Sequence, residues 1–379
     1  YDVEDGNGGS VAQTATITIT GSNDAPTVSS AVTSTASEDD AAYSLDLLTN
    51  ASDADSSDTL NVNNLTLVSG DASGITVSGN SLSIDPNAYN ALATGESEVI
   101  TYSYDVEDGN GGSVAQTATI TISGSNDAPT VSSAVTSSAS EDDASYSLDL
   151  LTNASDADSS DTLSVTNLVL DSGDASGVTV SGNALSIDPN AYNALAAGES
   201  EVITYSYDVE DGNGGSVAQT ATITITGSND APTVSSAVTS TASEDDAAYS
   251  LNLLTNASDP DSSDTLNVNN LTLVSGDASG ITVSGNSLSI DPNAYNALAA
   301  GESEVISYSY DVEDGNGGSV AQTATITITG SNDAPTISSA VTSTASEDDA
   351  AYSLDLLTNA SDADSSDTLN VNNLTLVSG

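Results

Sequence analysis

The sequence predicts an all-β protein in which β-sandwich modules follow one another in a linear array. The string YDVEDGNGGSVAQTATIT begins at Tyr1, Tyr104, Tyr207 and Tyr310, which gives a repeat of 103 residues. Short β-prone runs separated by Gly, Asn, Asp and Ser fill each repeat. Since most solenoid repeats are only about 20 to 50 residues long, we expect each copy to fold as a separate domain.

The string SNDAPT recurs once per copy, and we place the module boundary before its Asn. The chain then consists of a C-terminal fragment of a module (1–22), three complete modules (23–125, 126–228 and 229–331) and an N-terminal fragment of a module (332–379). We therefore expect the chain to be a window on a longer array.

The last two strands of module 23–125 have the clearest pattern. The segment SVAQTATITIS places Val114, Ala118, Ile120 and Ile122 on one face, and the segment before it places Ile100, Tyr102, Tyr104 and Val106 on one face. This period of two is typical of half-buried strands. The linking DGNGG contains the Asp-Gly and Gly-Gly pairs that tight hairpins favour, so we expect the two strands to pair.

The earlier part of the module contains shorter β-prone runs, namely TVSSAVTSTA, YSLDLL, LNVNNLTLV, GITVS and SLSI. Gly79-Asn80 indicates a second hairpin turn, and Asp85-Pro86 opens a short helix or helical turn in DPNAYNALA. About seven strands in about 100 residues predict an antiparallel, immunoglobulin-like β-sandwich.

The charge balance is extreme, with 56 Asp and Glu, no Lys, Arg or His, and a formal net charge of −56. Side chains therefore cannot form salt bridges with one another, and carboxylates within about 10 Å repel. The missing basic residues argue against nucleic acid or anionic membranes as partners. No apolar run reaches the roughly 18 residues of a membrane span, so membrane insertion is not expected. Such a composition also occurs in disordered chains, but here the apolar residues recur periodically.

The acidic residues gather in predicted loops. In module 23–125 they are Glu38, Asp39 and Asp40 in SEDD, Asp53, Asp55 and Asp58 in SDADSSD, Glu96 and Glu98 in GESE, and Asp105, Glu107 and Asp108 in DVEDG, with Asn23 and Asp24 at the boundary. Oxygen ligands suit Ca²⁺, whereas the lack of His and Cys disfavours zinc, copper and iron. Calcium is the predicted cofactor.

Two familiar calcium motifs do not fit. The run from Asp53 starts like an EF-hand loop, but Asp58 occupies the sixth position instead of Gly and Asn64 the twelfth instead of Glu. The glycine-rich nonapeptide of calcium-binding β-rolls is absent, because DGNGG occurs once per 103 residues. We therefore expect a site assembled from distant segments.

The strings SNDAPT, ASDADSSDTL and YDVEDGNGGS leading into TATITITGSNDAP resemble bacterial cadherin-like repeats. The resemblance is to the type named after Vibrio, Colwellia, Bradyrhizobium and Shewanella, found in giant secreted adhesins of the RTX type, and it covers essentially the whole chain. It implies calcium clasped between successive domains by a linker, an Asp-x-Asp loop, an Asp in the last hairpin and glutamates of the preceding domain. One departure is Gly124, where the cadherin linker begins with Asp.

The resemblance implies a ligand set at each junction. Between modules 23–125 and 126–228 the set is Glu38, Glu96, Glu98, Asn126, Asp127, Asp156, Asp158 and Asp211. The copies are Asn23, Asp24, Asp53, Asp55 and Asp108 at the first boundary; Glu141, Glu199, Glu201, Asn229, Asp230, Asp259, Asp261 and Asp314 at the third; and Glu244, Glu302, Glu304, Asn332, Asp333, Asp362 and Asp364 at the last. Asp39, Asp40, Asp58, Glu107 and Asp161 stay undecided between ligand and solvated surface.

The function that follows is an extender of a bacterial surface or secreted adhesin. Calcium ions between neighbouring modules would stiffen the extracellular array, which would hold a terminal binding domain away from the cell. An alternative is a self-assembling filament or biofilm-matrix fibre, in which the repeats contact other copies of the chain. An enzyme is not expected, because the identical copies lack a singular constellation and carboxylates alone would leave only chemistry such as glycoside hydrolysis.

Overall fold

A computed structural model describes residues 1–377. Module 23–125 contains nine strands: β1 (Thr27–Val28), β2 (Val32–Ser37), β3 (Tyr43–Asp46), β4 (Ala51–Ser52), β5 (Asn61–Ser69), β6 (Ile75–Ser78), β7 (Ser81–Ile84), β8 (Ser97–Glu107) and β9 (Ser113–Ser123). A single 3₁₀ turn, Pro86–Tyr89, lies between β7 and β8. The expected helical turn after Asp85 is thereby confirmed.

The other modules repeat this order 103 residues further on. The second contains Thr130–Val131, Val135–Ser140, Tyr146–Asp149, Ala154–Ser155, Ser164–Ser172, Val178–Ser181, Ala184–Ile187, the 3₁₀ turn Pro189–Tyr192, Ser200–Glu210 and Ser216–Thr226. The third contains Thr233–Val234, Val238–Ser243, Tyr249–Asn252, Ala257–Ser258, Asn267–Ser275, Ile281–Ser284, Ser287–Ile290, the 3₁₀ turn Pro292–Tyr295, Ser303–Glu313 and Ser319–Thr329. The terminal fragments contain Asp2–Glu4, Ser10–Ala12, Thr336–Ile337 and Ala360–Ser361.

Each module is a β-sandwich of two main sheets. The larger sheet has the order β2-β9-β8-β5, in which β2 runs parallel to β9 and the other neighbours are antiparallel. The smaller sheet has the order β3-β7-β6, and β1 pairs with β4. The predicted pairing of the last two strands is confirmed, with Ile100 opposite Ile120 and Tyr102 opposite Ala118. The all-β, tandem-sandwich prediction is thus correct.

The run TVSSAVTSTA, expected as one strand, is divided into two. Its first part, β1, pairs antiparallel with β4, whereas its second part, β2, pairs parallel with β9. Ser29 at the break donates its backbone N–H to the carbonyl of Asn50, 3.0 Å away. Strands that change partners in this way form the corners of β-sandwiches. Together with the unexpected β4, this division raises the strand count from seven to nine.

The core of each module lies between the sheets and is made of aliphatic residues and tyrosines. Leu47, Leu82, Ile100 and Ile120 are completely buried in module 23–125, and equivalent residues form the other two cores. The hydroxyl of Tyr104 donates a hydrogen bond of 2.7 Å to the carbonyl of Leu47. Because the buried tyrosine hydroxyl is hydrogen-bonded, tyrosine can supply the aromatic part of a core that has no Phe, Trp or Met.

The topology places different acidic loops at the two ends of a module. Glu38 follows β2, while Asp53 follows β4 and Asp108 begins the β8–β9 hairpin. The Glu38 end of one module faces the Asp-x-Asp end of the next, as the contacts below show. Within residues 1–377, no helical segment has the length and apolar character needed to cross a bilayer.

Candidate metal centre

The junction between modules 23–125 and 126–228 brings carboxylates of both modules together. Glu38, Asp127 of the linker and Asp158 each place one carboxylate oxygen within 4.8 Å of the other two. Glu38 is 0% exposed and Asp158 is 2% exposed. We call this group the junction triad, and its copies are Glu141 with Asp230 and Asp261, and Glu244 with Asp333 and Asp364.

Backbone N–H groups orient the carboxylates of Glu38, Asp156 and Asp158. Ser125 donates its N–H to Oε1 of Glu38 at 2.7 Å, which fixes this carboxylate against the linker. Asp127 donates its N–H to Oδ2 of Asp158 at 2.9 Å, and Asp158 donates its own N–H to Oδ1 of Asp156 at 3.0 Å. Each carboxylate therefore uses one oxygen to hold the chain in place and keeps its second oxygen for another partner.

That second oxygen is buried and lacks a donor. Oε2 of Glu38, Oδ2 of Asp156 and Oδ1 of Asp158 accept no hydrogen bond from any residue between 1 and 377. The same holds for Glu141, Glu244, Asp259, Asp261 and Asp364. A buried polar atom without a partner is costly, and a chain without basic side chains can supply none of the usual cationic partners. The donor set, all oxygen and all acidic, fits a hard cation such as Ca²⁺.

The electrostatics of the triad favour a cation in the same way. Burial raises the pKa of Glu38, and the carboxylates of Asp158 and Asp127 raise it further, against hydrogen bonds that lower it. Burial likewise raises the pKa of Asp158, with added repulsion from Asp161, Asp127 and Asp156. A positive charge at this point would reverse the effect, because it stabilises the ionised form of every carboxylate around it.

A second carboxylate group lies wholly inside one module. Asp156, Asp158 and Asp161 have oxygens within 4.8 Å of one another, and Asp53, Asp58 and Asp108 do so in module 23–125. We call such a set of carboxylates, drawn from a single module, the intramodular group. Oδ2 is buried and without a hydrogen-bond donor, among the described residues, in Asp58, Asp161 and Asp264. From the sequence, Asp58 and Asp161 were undecided and Asp264 was not a candidate, although the Asp three residues after each Asp-x-Asp was a usable signal.

The hairpin residue Asp211 ties the linker to the loop DGNGG. Asn126 donates its side-chain amide to Oδ2 of Asp211 at 2.9 Å, and Oδ1 accepts the backbone N–H groups of Asn213, Gly214 and Gly215 at 2.7 to 3.0 Å. Burial alone would raise the pKa of Asp211, but these hydrogen bonds lower it overall. Oδ1 of Asn126 is left buried without a donor in the described part of the chain, and it is a further candidate ligand.

The first boundary repeats the linker contacts. Asn23 donates its side-chain amide to Asp108 at 2.8 Å, and Asp24 donates its N–H to Asp55 at 2.8 Å. At the third boundary, Asn229 donates its side-chain amide to Asp314 at 3.0 Å. At the last boundary, Asp333 donates its N–H to Asp364 at 2.9 Å. Asn332, like Asn126, donates its amide to the carbonyl of the next residue, and the N–H of Asp364 bonds Asp362 at 3.1 Å.

The glutamates of GESE accept backbone hydrogen bonds from loops of their own module. Glu96 is exposed and accepts the N–H of Ala93 at 3.1 Å, whereas Glu98 accepts the N–H of Asp71 at 2.6 Å. Their copies Glu199, Glu201, Glu302 and Glu304 bond the equivalent loops. These side chains thus stabilise loops of their own module, and their assignment as metal ligands stays a prediction.

The glycine that replaces the first acid of a cadherin linker has a steric role. A Cβ on Gly124 would overlap the carbonyl oxygens of Leu92 and Ala93, and Gly227 and Gly330 are enclosed in the same way. No side chain can therefore enter the linker at this position, and the ligand expected there from cadherins is missing for a physical reason.

The modules also contact each other directly, which the sequence did not indicate. Ser159 donates its N–H and its hydroxyl to the carbonyl of Ala91, at 3.3 and 3.2 Å. Asn90, in the turn after the 3₁₀ segment, donates its amide to Asp127. The same contacts join Ser262 to Ala194 and Asn193 to Asp230.

Comparison with protein families agrees with this architecture. The family model of the cadherin-like domain matches residues 22–123, 125–226 and 228–329. Similar solved structures include the human desmocollin-1 ectodomain (15% identity, TM-score 0.31, 84% of this chain and 64% of that one) and mouse cadherin-23 EC22-24 (13% identity, TM-score 0.39, 82% of this chain and 99% of that one). The chain thus spans less than two thirds of the desmocollin-1 ectodomain, and a search of curated proteins gave no match. With three family matches that together cover most of its length, the chain belongs to the cadherin-like domain family.

Proposed function

We propose that the chain is the calcium-rigidified extender of a bacterial surface or secreted adhesin of the type named after Vibrio, Colwellia, Bradyrhizobium and Shewanella. Its role is to hold a terminal binding domain away from the cell, and it performs no catalysis. The observation that carries this proposal is the junction triad, which draws Glu38, Asp127 and Asp158 from two modules and the linker between them. A cation that binds there binds both modules at once.

The residues offer two places for calcium at each junction. The first is the junction triad, in which the linker Asp127 connects the two modules. The second is the intramodular group with Asp161, and the buried Oδ1 of the linker residue Asn126 is a further candidate ligand. Calcium supplies positive charge and oxygen coordination there, and the chain supplies the fixed orientation of the carboxylates.

The balance of forces explains why the cation matters for rigidity. Two carboxylates less than 5 Å apart repel by about 3 to 4 kcal/mol at an effective dielectric constant of about 20, and the triad contains several such pairs. The direct contacts of Asn90 and Ser159 contribute only about 0.5 to 1.5 kcal/mol each. Repulsion therefore exceeds the direct contacts, and without calcium we expect the junction to bend or open.

The near-identity of the copies supports a spacer. Cadherin-like tandem repeats are typical of extracellular adhesion and extender regions, and the same triad recurs at three successive boundaries. A spacer needs one junction geometry repeated many times and no unique site. The proposed location is accordingly extracellular or on the bacterial surface.

A calcium titration separates this proposal from an intramodular role of the metal. Calorimetry on residues 126–331 is compared with calorimetry on residues 126–228, and small-angle scattering gives the maximum dimension with calcium and with chelator. We expect additional sites in the tandem, together with elongation. Twice the single-module count with an unchanged shape would contradict the extender.

The second candidate function, lateral assembly into fibres or biofilm matrix, is favoured by one observation. Val68 on the edge strand β5 and Val77 on the edge strand β6 are both 61% exposed, and unprotected edges invite pairing with another chain. In module 126–228, however, Asp171 replaces Val68, which interrupts the apolar edge. Filaments that never dissociate into single chains on dilution in calcium would favour this candidate.

A further inference from the structure

The hairpin loop DGNGG contains an Asn-Gly pair in every copy, among them Asn213-Gly214 and Asn316-Gly317. Asn followed by Gly is the pair most prone to spontaneous deamidation, because Gly has no side chain to hinder attack of its backbone nitrogen on the Asn amide carbon. Asn213 and Gly214 are exposed, so water reaches both residues. The reaction needs no enzyme, and the structure shows what restrains it.

Carboxylates of the metal centre hold both reacting groups. The side-chain amide of Asn213 donates to Oδ1 of Asp161 at 2.8 Å, and the backbone N–H of Gly214 donates to Oδ1 of Asp211 at 3.0 Å. Module 229–331 repeats this arrangement, with Asn316 bonded to Asp264 at 2.8 Å and Gly317 to Asp314 at 2.9 Å. Both bonds restrain the rotations that would bring the nitrogen of the glycine to the amide carbon.

We infer that Asn213-Gly214 and Asn316-Gly317 are deamidation sites gated by cation occupancy of the adjacent carboxylates. This inference rests on the proposed calcium site. Asp161 belongs to the intramodular group with Asp156 and Asp158, so a bound cation holds it in place. Without the cation, repulsion within that group releases Asp161, and the loop that it restrains opens more often.

The reaction is balanced with water as the only co-reactant. The backbone nitrogen of Gly214 forms a bond to Cγ of Asn213 while the Cγ–Nδ2 bond breaks, and the proton of the glycine N–H leaves with the amide nitrogen as ammonia. Water then adds to either carbonyl carbon of the cyclic imide, whose C–N bond opens to leave aspartate or isoaspartate. One neutral amide has become one carboxylate.

The product changes the metal centre. The new carboxylate can no longer donate to Asp161, and it adds negative charge beside the intramodular group. Isoaspartate also lengthens the backbone of the loop whose N–H groups hold Asp211. Because deamidation is irreversible, the product at one junction records the time that this junction has spent without calcium. Each junction accumulates the product independently of the others.

The test follows isoaspartate in the full chain. The protein is incubated at 37 °C and slightly alkaline pH, with calcium or with chelator, cleaved with a glutamate-specific protease and mapped by mass spectrometry. We expect isoaspartate at Asn213 and Asn316 to accumulate at least about five-fold faster with chelator. This factor corresponds to a decrease of about 1 kcal/mol in the free energy of loop opening. Asn190 is exposed but followed by Ala191, and it serves as the internal control that stays unmodified.

Two variants sharpen the test. Asp161→Ala removes the acceptor of Asn213 and leaves Asn316 untouched, so the rate at Asn213 should rise relative to that at Asn316 in the same molecule. Asn213→Gln should abolish the product at that position only. Isoaspartate at Asn213 no faster than change at Asn190 would overturn the site. Equal rates with calcium and chelator, in a chain shown by calorimetry to bind calcium, would overturn the gating alone, whereas absence of calcium binding would overturn the proposed function as well.

Discussion

The side-chain amide of Asn193 donates a hydrogen bond of 2.6 Å to Asp230, which lies in the linker to the next module. This bond links the preceding module to one acid of the junction triad. The other two acids of this triad are Glu141 of the preceding module and Asp261 of the following module. The junction thus combines hydrogen bonds between the modules with an excess of negative charge.

Glu38→Gln should weaken calcium binding at the first complete junction by about 10- to 100-fold, because it removes one charged oxygen ligand from a buried site. Without calcium the same change should make the junction more compact, since it removes a repulsive charge. Asp85→Asn is the matched control, because Asp85 is exposed and is not among the predicted ligands. Calorimetry on 23–228 measures both variants, and an equal loss in both would contradict the assignment of Glu38.

Pro260 should make calcium binding tighter at the junction that contains it. Asp259-Pro260-Asp261 replaces Asp156-Ala157-Asp158, yet the N–H of the second Asp bonds the first at 3.0 Å in both loops. The loop conformation therefore accepts proline, which lowers the free-energy cost of ordering the loop by about 0.4 to 1 kcal/mol. This corresponds to a calcium affinity about two- to five-fold higher. Pro260→Ala and Ala157→Pro should shift the two junctions in opposite directions in a calcium titration. Shifts in the same direction would refute the argument.

The folded chain should lose stability at alkaline pH. Burial raises the pKa of Tyr104, Tyr207 and Tyr310 to about 12, whereas a tyrosine of an unfolded chain titrates near 10. The folded state therefore retains protons that the unfolded state releases, so this contribution is complete below about pH 10 and is lost as the pH rises through about 12. Absorbance of tyrosinate should show that these three tyrosines titrate later in the folded chain than in the chain unfolded by denaturant. A single transition near 10 in the folded chain would contradict the prediction.

Gly124→Ala should destabilise module 23–125 by about 1 to 3 kcal/mol, because the added methyl group overlaps the carbonyls of Leu92 and Ala93. Thr94→Ala is the control, since Thr94 is exposed next to the same two carbonyls and the other modules have Ala197 and Ala300 at its position. Chemical denaturation measures both changes. Equal stability of the two variants would show that the linker can move aside.

The strands with strict alternation were predictable from the sequence. The register of β8 and β9 places Ile100 and Ile120 in the core, as their period of two indicates. The division of TVSSAVTSTA was not predictable, because a β-prone run gives no sign of which partner strand each half will meet. The short β4 contains only Ala51 and Ser52, too few residues for a periodic signal.

The candidate site shows the same contrast. Its chemistry was determined by the sequence alone, because a chain with 56 acids and no Lys, Arg or His must meet its charge with external cations, and oxygen ligands select hard ones. The junction glutamate Glu38 and the linker Asp127 were also identified from motifs that resemble cadherin repeats.

Only the tertiary structure decided which acids lie together. It brought Asp161 beside Asp156 and Asp158, directed Glu96 to a loop of its own module, and showed that Leu92 and Ala93 exclude a side chain at Gly124. Periodicity and composition act along the chain and are therefore visible in the sequence. The distances between carboxylates depend instead on how β2, the linker and the Asp-x-Asp loop pack at the boundary of two modules, and that packing is set by contacts between residues far apart in the chain.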